Sequence, residues 1–461
     1  MLRTTLAVRF PCLFFVHFLI PKRTPHILTV TAEPENGTLG PEWARGPVTL
    51  IYAAFLAFIF CLSGCGGRNL GSARSDFYSG RLEQAEKVLQ EENPDSTDMV
   101  LVLMERGTVK QALGKFQESS ADLIKASELA DMLETYSVGR GAASMMVNDT
   151  VQSFRGAPFE RTYLHDLTAL NHLAQGRWED AAVESRRIIQ SLERHTADDY
   201  PDDAFSRYVA GFGLEMAGDY SNAQVQYRLA GEIAGNVFID EHTGFLALKP
   251  QNTPEQTESH GNSTEKDPEA YISSANSTVH GGGHLVCFLL LGRSPTGEQA
   301  WNSSVPSTPY SPRAEIFHRG TRLGGSYVLS DTYLLAVTTA RKQALKRLAK
   351  TAARIAAKES VARAVDDMAQ GWGDLVRIIL IGMLEKPDFR RWETLPRYMA
   401  VARVPCPEDL QDFDLVIRNG KIGRSHKFHI TSPISRRGRV FFSFFRSYPP
   451  GPVHHSQPES E

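Results

Sequence analysis

The chain has 461 residues, 50 basic and 53 acidic side chains and 42% hydrophobic residues, and its length predicts two or three domains. These ordinary globular values exclude a fully disordered chain, a collagen-like fibre and a multi-span membrane protein. A net charge of −3 also argues against a protein that coats nucleic acid.

The charge is distributed unevenly along the chain. Residues 77–245 hold 15 basic and 28 acidic side chains, a net of −13, whereas residues 246–461 hold 28 basic and 21 acidic ones, a net of +7. Such a division predicts two different bodies. We expect the acidic body to bind a basic protein or peptide, with an affinity that falls as salt is added. The basic half of this same chain is one candidate partner.

The first element is an uncharged run, residues 48–64, which leads into Leu62-Ser63-Gly64-Cys65. A short apolar core that ends in small residues is typical of a signal peptide. Leu-Ser-Gly-Cys resembles the bacterial lipobox, which implies a lipid attached to the Cys65 thiol. Gly66, where an Asp would imply inner-membrane retention, favours the outer membrane, facing the periplasm. The alternatives are a transmembrane helix, although a run of this length is at the lower limit for a span, and a buried core helix.

Residues 1–64 are therefore predicted to be a leader with a lipoprotein signal peptide, and residues 65–76 a tether. The length of the leader in front of the apolar run is unusual. Either translation starts downstream of Met1 or the leader is an uncommonly long one.

Four segments then repeat one pattern: a glycine, a charged residue, a large apolar residue and, five positions after the glycine, a small residue. The interval from Gly80 to Gly114 equals the period of the tetratricopeptide repeat (TPR). The glycine would end one helix in a left-handed cap, and the small residue would let two helices approach closely. The residues assigned to this packing are Gly80, Ala85, Gly114, Phe116, Gly176, Trp178, Ala181, Gly218, Tyr220 and Ala223.

The pattern predicts TPR-like helical repeats over residues 77–245. Because the interval from Gly114 to Gly176 is nearly twice the first one, residues 136–161 are either an atypical repeat or a loop, and long loops in compact arrays are often functional. Polar residues in and after this interval are candidates for partner binding. They are Glu160, His165, Asn171, Glu184 and Arg187.

A polar segment, residues 246–282, is predicted to be a linker before a smaller α+β domain, residues 283–425. This domain would hold strands near 284–291, 398–403, 413–417 and 427–430, with a hairpin turn at Asn419-Gly420. A long basic helix is expected near 333–369, and residues 426–461 are predicted to be a partly disordered tail. The fold class is mainly α.

No pattern of residues predicts catalysis, a metal or a cofactor. His280-Gly-Gly-Gly-His284 could belong to a zinc site or an oxyanion loop, but a third ligand and a Gly-x-Ser-x-Gly elbow are both missing. His165 with Glu160 or Glu184 could act as an acid–base set, although such residues more often line or cap repeat helices. Cys287 and Cys406 either pair or remain buried thiols.

Five features occur together in this chain: the lipobox, the repeats, Gly176-Arg-Trp-Glu-Asp-Ala-Ala-Val-Glu-Ser-Arg-Arg187, the Gly-rich strand start and Arg391-Trp-Glu-Thr-Leu-Pro396. Together they resemble a family of TPR-containing bacterial lipoproteins of unassigned function. The resemblance covers roughly residues 60–420 and implies no activity. The expected function is that of a membrane-anchored, non-enzymatic interaction scaffold. The alternative is an envelope polysaccharide or cell-wall assembly factor or enzyme that acts through its C-terminal domain.

Overall fold

The computed structural model describes residues 66–91, 96–139, 153–249, 282–302, 312–345, 388–419 and 424–447. The predicted leader, Cys65 and His280 lie outside these ranges, as does most of the predicted linker and of the predicted helix 333–369. The described residues from position 66 onward form one compact unit.

Four helical hairpins form the N-terminal part of this unit. Their helices are α1 Gly66–Tyr78 and α2 Leu82–Gln90, α3 Met99–Ala112 and α4 Phe116–Gly139, α5 Pro158–Ala174 and α6 Trp178–Ala197, and α7 Ala204–Ala217 and α8 Tyr220–Ile233. The predicted helical repeats are therefore present, and the interval 136–161 divides between the end of α4, undescribed residues and the start of α5.

The same turn joins the two helices of every hairpin. Its glycine has a positive φ, between 68° and 92°, and the next residue donates its N–H to a carbonyl five positions earlier at 2.9 Å. This bond defines a Schellman motif, in which a left-handed residue ends the helix. The glycines are Gly80, Gly114, Gly176 and Gly218.

The predicted packing of the repeats holds at most of its positions. The small residues five positions after each glycine, Ala85, Ser119, Ala181 and Ala223, are all buried. Phe116 is buried, and Trp178 packs partly against the core. The prediction for Tyr220 is wrong, because its side chain is 62% exposed. Helix α8 is followed by a strand instead of another hairpin that could cover this side chain.

The predicted tether is part of the first hairpin. Helix α1 buries Leu70, Ala73 and Phe77, which follow one another at helical spacing. The array therefore begins at residue 66 and not at 77, and the glycine and serine content of this stretch hid its apolar face.

In the C-terminal part, the described residues form two larger sheets and a two-stranded ribbon. The ribbon joins β1 Val237–Ile239 to β2 Leu246–Leu248, so residues 246–248 belong to it and not to a linker. The five-stranded sheet has the order β10 Ser435–Arg437, β11 Val440–Arg446, β3 Gly283–Leu291, β7 Tyr398–Cys406 and β6 Tyr327–Asp331. The four-stranded sheet has the order β5 Thr321–Gly325, β4 Arg313–His318, β8 Phe413–Asn419 and β9 Arg424–Ile430.

Most of the described strand pairs are antiparallel, and the exception is β11, which runs parallel to β3. Strands β8 and β9 pair antiparallel as expected, with Asn419 in the strand opposite Arg424, and Gly420 of the predicted turn lies outside the described residues. In the described part of the chain, two helices accompany the sheets: α9 Gly297–Asn302 and α10, residues 332–345. The second is the described part of the predicted basic helix.

The five-stranded sheet is buried on both faces. On β3, Leu285, Cys287 and Leu289 pack toward the four-stranded sheet, whereas Val286, Phe288 and Leu290 join the core of the helical array. This alternation follows from the two-residue period of a strand. A run that is apolar at every position is typical of a strand covered on both sides.

The predicted tail is wrong over the residues that the structure describes. Strands β9, β10 and β11 lie almost wholly after position 425, and β11 occupies an interior position in its sheet. Its Phe441, Phe442, Phe444 and Phe445 are buried. The C-terminal domain therefore extends to residue 447, because β11 supplies apolar side chains to both faces of the five-stranded sheet.

Cys287 and Cys406 are both free and buried, which agrees with the thiol alternative. Across the described ranges, no helix combines the length and apolar character that a membrane crossing requires.

Candidate functional site

The inner face of the helical array is occupied by the protein's own sheet. The first helices of the last three hairpins, α3, α5 and α7, are buried around almost their whole circumference. Phe205 and Phe212 on α7 lie with ring centroids 5.9 and 5.5 Å from Phe288 on β3. One continuous apolar core therefore joins the array to the sheet.

A buried ion pair also crosses this interface. Arg403 on β7 donates to both carboxylate oxygens of Glu215 on α7, at 2.7 and 2.8 Å, and the Tyr227 hydroxyl donates to the same carboxylate at 2.5 Å. Burial opposes charge on Glu215, yet its pKa lies below the ordinary value because Arg403 and Tyr227 stabilise the carboxylate. The expected contact between the acidic array and the basic half is thus present within the molecule.

The segment 388–396 from the basic half forms a second connection. Trp392 is fully buried, and its backbone N–H donates to Glu160 at 3.0 Å while its indole N–H donates to Thr108 at 2.9 Å. Glu105 on α3 accepts the backbone N–H of Glu393 at 3.0 Å. Buried carboxylates of the array therefore satisfy backbone donors of this irregular segment.

Two of the five predicted partner-binding residues are interior groups. Glu160 is fully buried, caps the start of α5 by accepting the Ala157 N–H at 2.7 Å, and has its pKa raised by burial. Asn171 is also fully buried, and it donates to Ser119 and accepts from Gln111 at 2.9 and 2.8 Å. The prediction is wrong for both as external contacts, because each satisfies groups inside the molecule.

The other three residues lie together at an outer cleft. His165 on α5 contacts Glu184 on α6 at 2.8 Å, and Arg187 donates to the other oxygen of Glu184 at 2.7 Å. Glu184 is buried, whereas the Arg187 side chain is 45% exposed. The structure therefore brings His165, Glu184 and Arg187 into one cluster, as an acid–base or binding role would require.

The cleft beside this cluster has a volume of about 190 Å³. Helices α4, α5 and α6 form it, and its walls carry charges of both signs. The charged and polar lining residues include Asp131, Arg161, His165, Arg187, Gln190 and Arg194. Arg161 forms ion pairs with Asp131 and Glu134, so this side chain is held in place.

A larger cavity of about 410 Å³ lies where the N-terminal end of α5 meets α9, α10 and residues 388–391. Its aromatic lining includes Phe154, Phe159, Trp301 and Phe389, and its cationic lining includes Arg390 and Arg391. A concave space of this size at a domain junction is a usual place for a small ligand. Sequence reasoning missed this site because its walls come from four distant segments, although Arg391 opens the Arg-Trp-x-x-Leu-Pro motif.

Within the described ranges, no group of His, Cys, Asp and Glu side chains could hold a metal ion. His284 lies on β3, where burial lowers its pKa to about 4, and its ring contacts Phe245 with centroids 4.9 Å apart. The structure therefore places His284 against an aromatic ring at the edge of the array, in keeping with a residue that enters a strand.

Comparisons with known proteins do not assign this chain to a family. No family model matches the sequence, and no curated protein matches it. Among solved structures, the chain is similar to the Rap conjugation gene regulator of the plasmid pLS20 in complex with the Phr* peptide, at 15% identity and a TM-score of 0.24. The match covers 42% of this chain and 47% of that one, so it spans under half of either protein. The expected membership of a lipoprotein family finds no support in these comparisons.

Proposed function

We propose that this protein is a membrane-anchored lipoprotein of the cell envelope that acts as a non-enzymatic protein-interaction scaffold. The observation that carries the proposal is the array of four helical hairpins, since stacked hairpins of this kind present extended surfaces for peptides and proteins. The array's own sheet fills its inner face, so an external partner binds an outer one.

The outer cleft between α4, α5 and α6 is the proposed surface for this partner. Arg187 and Arg194 are 45% and 48% exposed there, and Asp131 is 54% exposed. The array's net negative charge predicts a preference for basic partners. Within the molecule, Arg403 of the basic half is one such basic group, and it pairs with Glu215 of the array. For an external partner, the exposed arginines of the cleft favour acidic side chains.

The proposed anchor lies directly before the array. Helix α1 begins at Gly66, one residue after the predicted lipid attachment site Cys65. A lipid on this thiol would hold the first hairpin close to the membrane surface, and we place that surface at the outer membrane, facing the periplasm.

Labelling with radioactive palmitate tests the anchor. The wild-type protein is expected to carry the label and to fractionate with membranes. The variant Cys65→Ser is expected to lose both properties, and Cys61→Ser, which changes the neighbouring cysteine, is expected to keep them. Equal labelling of all three proteins would contradict the proposal.

Photo-cross-linking in intact cells tests the partner surface. A photoreactive amino acid at Gln190, which is exposed in the cleft, is expected to form a discrete adduct with another protein. The same amino acid at Tyr220, which is exposed on α8 outside the cleft, is the matched control. An adduct that the double variant Arg187→Glu, Arg194→Glu leaves unchanged would argue against this surface.

The alternative, an envelope enzyme or assembly factor with its active part in the C-terminal domain, needs titratable groups in a pocket of that domain. The hydrophobic cluster between the two sheets consists of Leu, Ile, Val, Ala, Phe and buried Cys side chains. The domain's Asp388, Arg390 and Arg391 line the larger cavity instead, together with Glu160 of the array, so the alternative would have to act there.

A further inference from the structure

The larger cavity, with a volume of about 410 Å³, has an aromatic mouth and a charged interior. Trp301 and Phe389 are 37% and 38% exposed, and their rings meet edge to face with centroids 6.3 Å apart. Deeper in the cavity, Arg391 lies over the ring of Phe159, with its guanidinium carbon 5.3 Å from the centroid. An apolar body can therefore contact the rings while an attached anion reaches toward the arginine.

Arg391 is the least satisfied charge of the cavity. Its side chain is nine-tenths buried, and its Nε and Nη2 atoms have no hydrogen-bond partner. Glu160 lies 3.7 Å from Nε, which is too far for a hydrogen bond, and both Glu160 oxygens already accept backbone N–H groups. Burial lowers the pKa of Arg391, and Glu160 offsets this effect only in part.

The other charges of this region are engaged. Arg390 donates to both oxygens of Asp388, at 2.9 and 2.7 Å, and to Asp98 at 2.7 Å. Glu160 and Asp388 both line the cavity, so a doubly charged phosphate near Arg391 would meet two carboxylates. A singly charged anion meets less repulsion, and a carboxylate matches the paired N–H groups of a guanidinium.

We propose that the cavity between α5, α9, α10 and residues 388–391 binds a monocarboxylate with an apolar body, with Arg391 as the anion contact and Trp301 and Phe389 as the apolar contacts. A free peptide C-terminus with an apolar last residue and a small carboxylic acid share this chemistry. Arg391 lines the cavity, and the protein itself leaves the N–H groups of Nε and Nη2 without acceptors. The peptide version rests on the proposed scaffold function, since it names one segment that the scaffold holds.

Isothermal titration calorimetry on the full-length chain tests the site. The first probe is N-acetyl-L-phenylalanine, and its uncharged control is N-acetyl-L-phenylalaninamide. The charged compound is expected to bind on the order of tenfold more tightly, because the amide cannot make the charge-assisted contact with Arg391. Equal affinities, or no binding of either compound, would overturn the proposal.

Two variants and a matched control assign the contact. Arg391→Gln is expected to abolish the preference for the charged compound. Ala340→Leu, which adds side-chain volume to the cavity wall from α10, is expected to weaken both compounds and covers the case in which Arg391→Gln fails to fold. Arg397→Gln is the control, because Nε and Nη2 of Arg397 also lack partners but the side chain lies between the rings of Tyr333 and Tyr398. A preference that survives Arg391→Gln in the folded protein would sink the assignment.

A third set of probes distinguishes the two sources of the carboxylate. A pentapeptide that ends in phenylalanine, as the free acid and as the amide, is compared with N-acetyl-L-phenylalanine. Binding of both free acids supports a peptide terminus, and binding of the small acid alone supports a small-molecule ligand in the same site. If the Gln190 adduct forms but no carboxylate binds, the inference fails and the scaffold stands. If carboxylates bind through Arg391 but no adduct forms, the scaffold fails and the site stands.

Discussion

At the scale of single residues, the charges that join the array to the sheet are interior ones. Arg403 is 6% exposed and depends on Glu215 for its compensation. Removal of one partner of a buried ion pair leaves the other charge without compensation, which is strongly destabilising. The composition predicted that the oppositely charged halves attract each other, but it could not show that the ion pair between them is buried.

Arg403→Gln is therefore expected to lower the free energy of unfolding by about 3–5 kcal/mol, measured by urea denaturation at pH 7. The control Arg228→Gln breaks a surface pair with Glu232, in which both side chains are at least half exposed, and is expected to cost less than about 0.5 kcal/mol. Similar losses for both variants would contradict the role given to Arg403.

His195 on α6 makes stability depend on pH. Burial lowers its pKa from 6.5 to about 4, with Arg161 and Arg194 adding to the effect. Because the folded pKa lies below the unfolded one, the neutral ring contributes stability that is complete above pH 6.5 and is lost as the pH falls toward 4. Between pH 7 and pH 5 the contribution of His195 is expected to fall by about 2 kcal/mol, while Asp203, whose pKa burial raises to about 6, acts in the opposite sense.

Urea denaturation at the two pH values measures this loss. His195→Gln keeps a polar side chain near Thr162 but does not titrate, so the difference between pH 7 and pH 5 is expected to shrink by about 2 kcal/mol. An unchanged difference would show that other groups govern the acid response.

At the scale of elements, the turns were the most predictable feature. Glycine followed by a charged, a large apolar and finally a small residue marks a local structure that short-range contacts determine, and all four turns form as expected. Helix α1 was missed because its glycines and serines hide its apolar face, and strand β11 was missed for a different reason. The apolar run from Phe441 to Phe445 is typical of a buried strand, but its partners lie much earlier in the chain, in β3, and no local pattern reveals such a pairing.

Gly218 provides a test of the turn without steric interference. Its φ is +92° and a Cβ atom there would meet nothing within 4 Å, so Gly218→Ala adds backbone strain alone. We expect a loss of about 1 kcal/mol in thermal or urea unfolding. Gly71→Ala within α1, where a Cβ atom is also unobstructed, is the control and is expected to stabilise by about 0.5–1 kcal/mol. A stabilising Gly218→Ala would refute the left-handed cap.

A chain that ends at residue 425 tests the position of β11. Removal of β11 exposes the edge of β3 and takes four buried phenylalanines from two cores. The shortened protein is expected to be insoluble or to lack a cooperative unfolding transition, whereas a chain that ends at residue 447 is expected to unfold like the full-length protein. Wild-type stability of the shorter chain would contradict the sheet order.

At the scale of the whole molecule, the two bodies that the charge division predicted are packed as one. The sheet lies against α5 and α7, and the segment around Trp392 is held by α3 and α5. Residues of both bodies line the candidate cavity, and neither body forms it alone. Sequence patterns identified the array and four of the eleven described strands, but the sites arise from contacts between segments that lie far apart in the chain.

Hydrogen exchange with mass spectrometry on the full-length protein tests this union most directly. If the array and the sheet share one core, peptides from α5 and β11 are expected to open with free energies within about 1 kcal/mol of each other, and Arg403→Gln is expected to lower both together. Protection that persists in α5 while β11 exchanges several kcal/mol more easily would contradict a single scaffold.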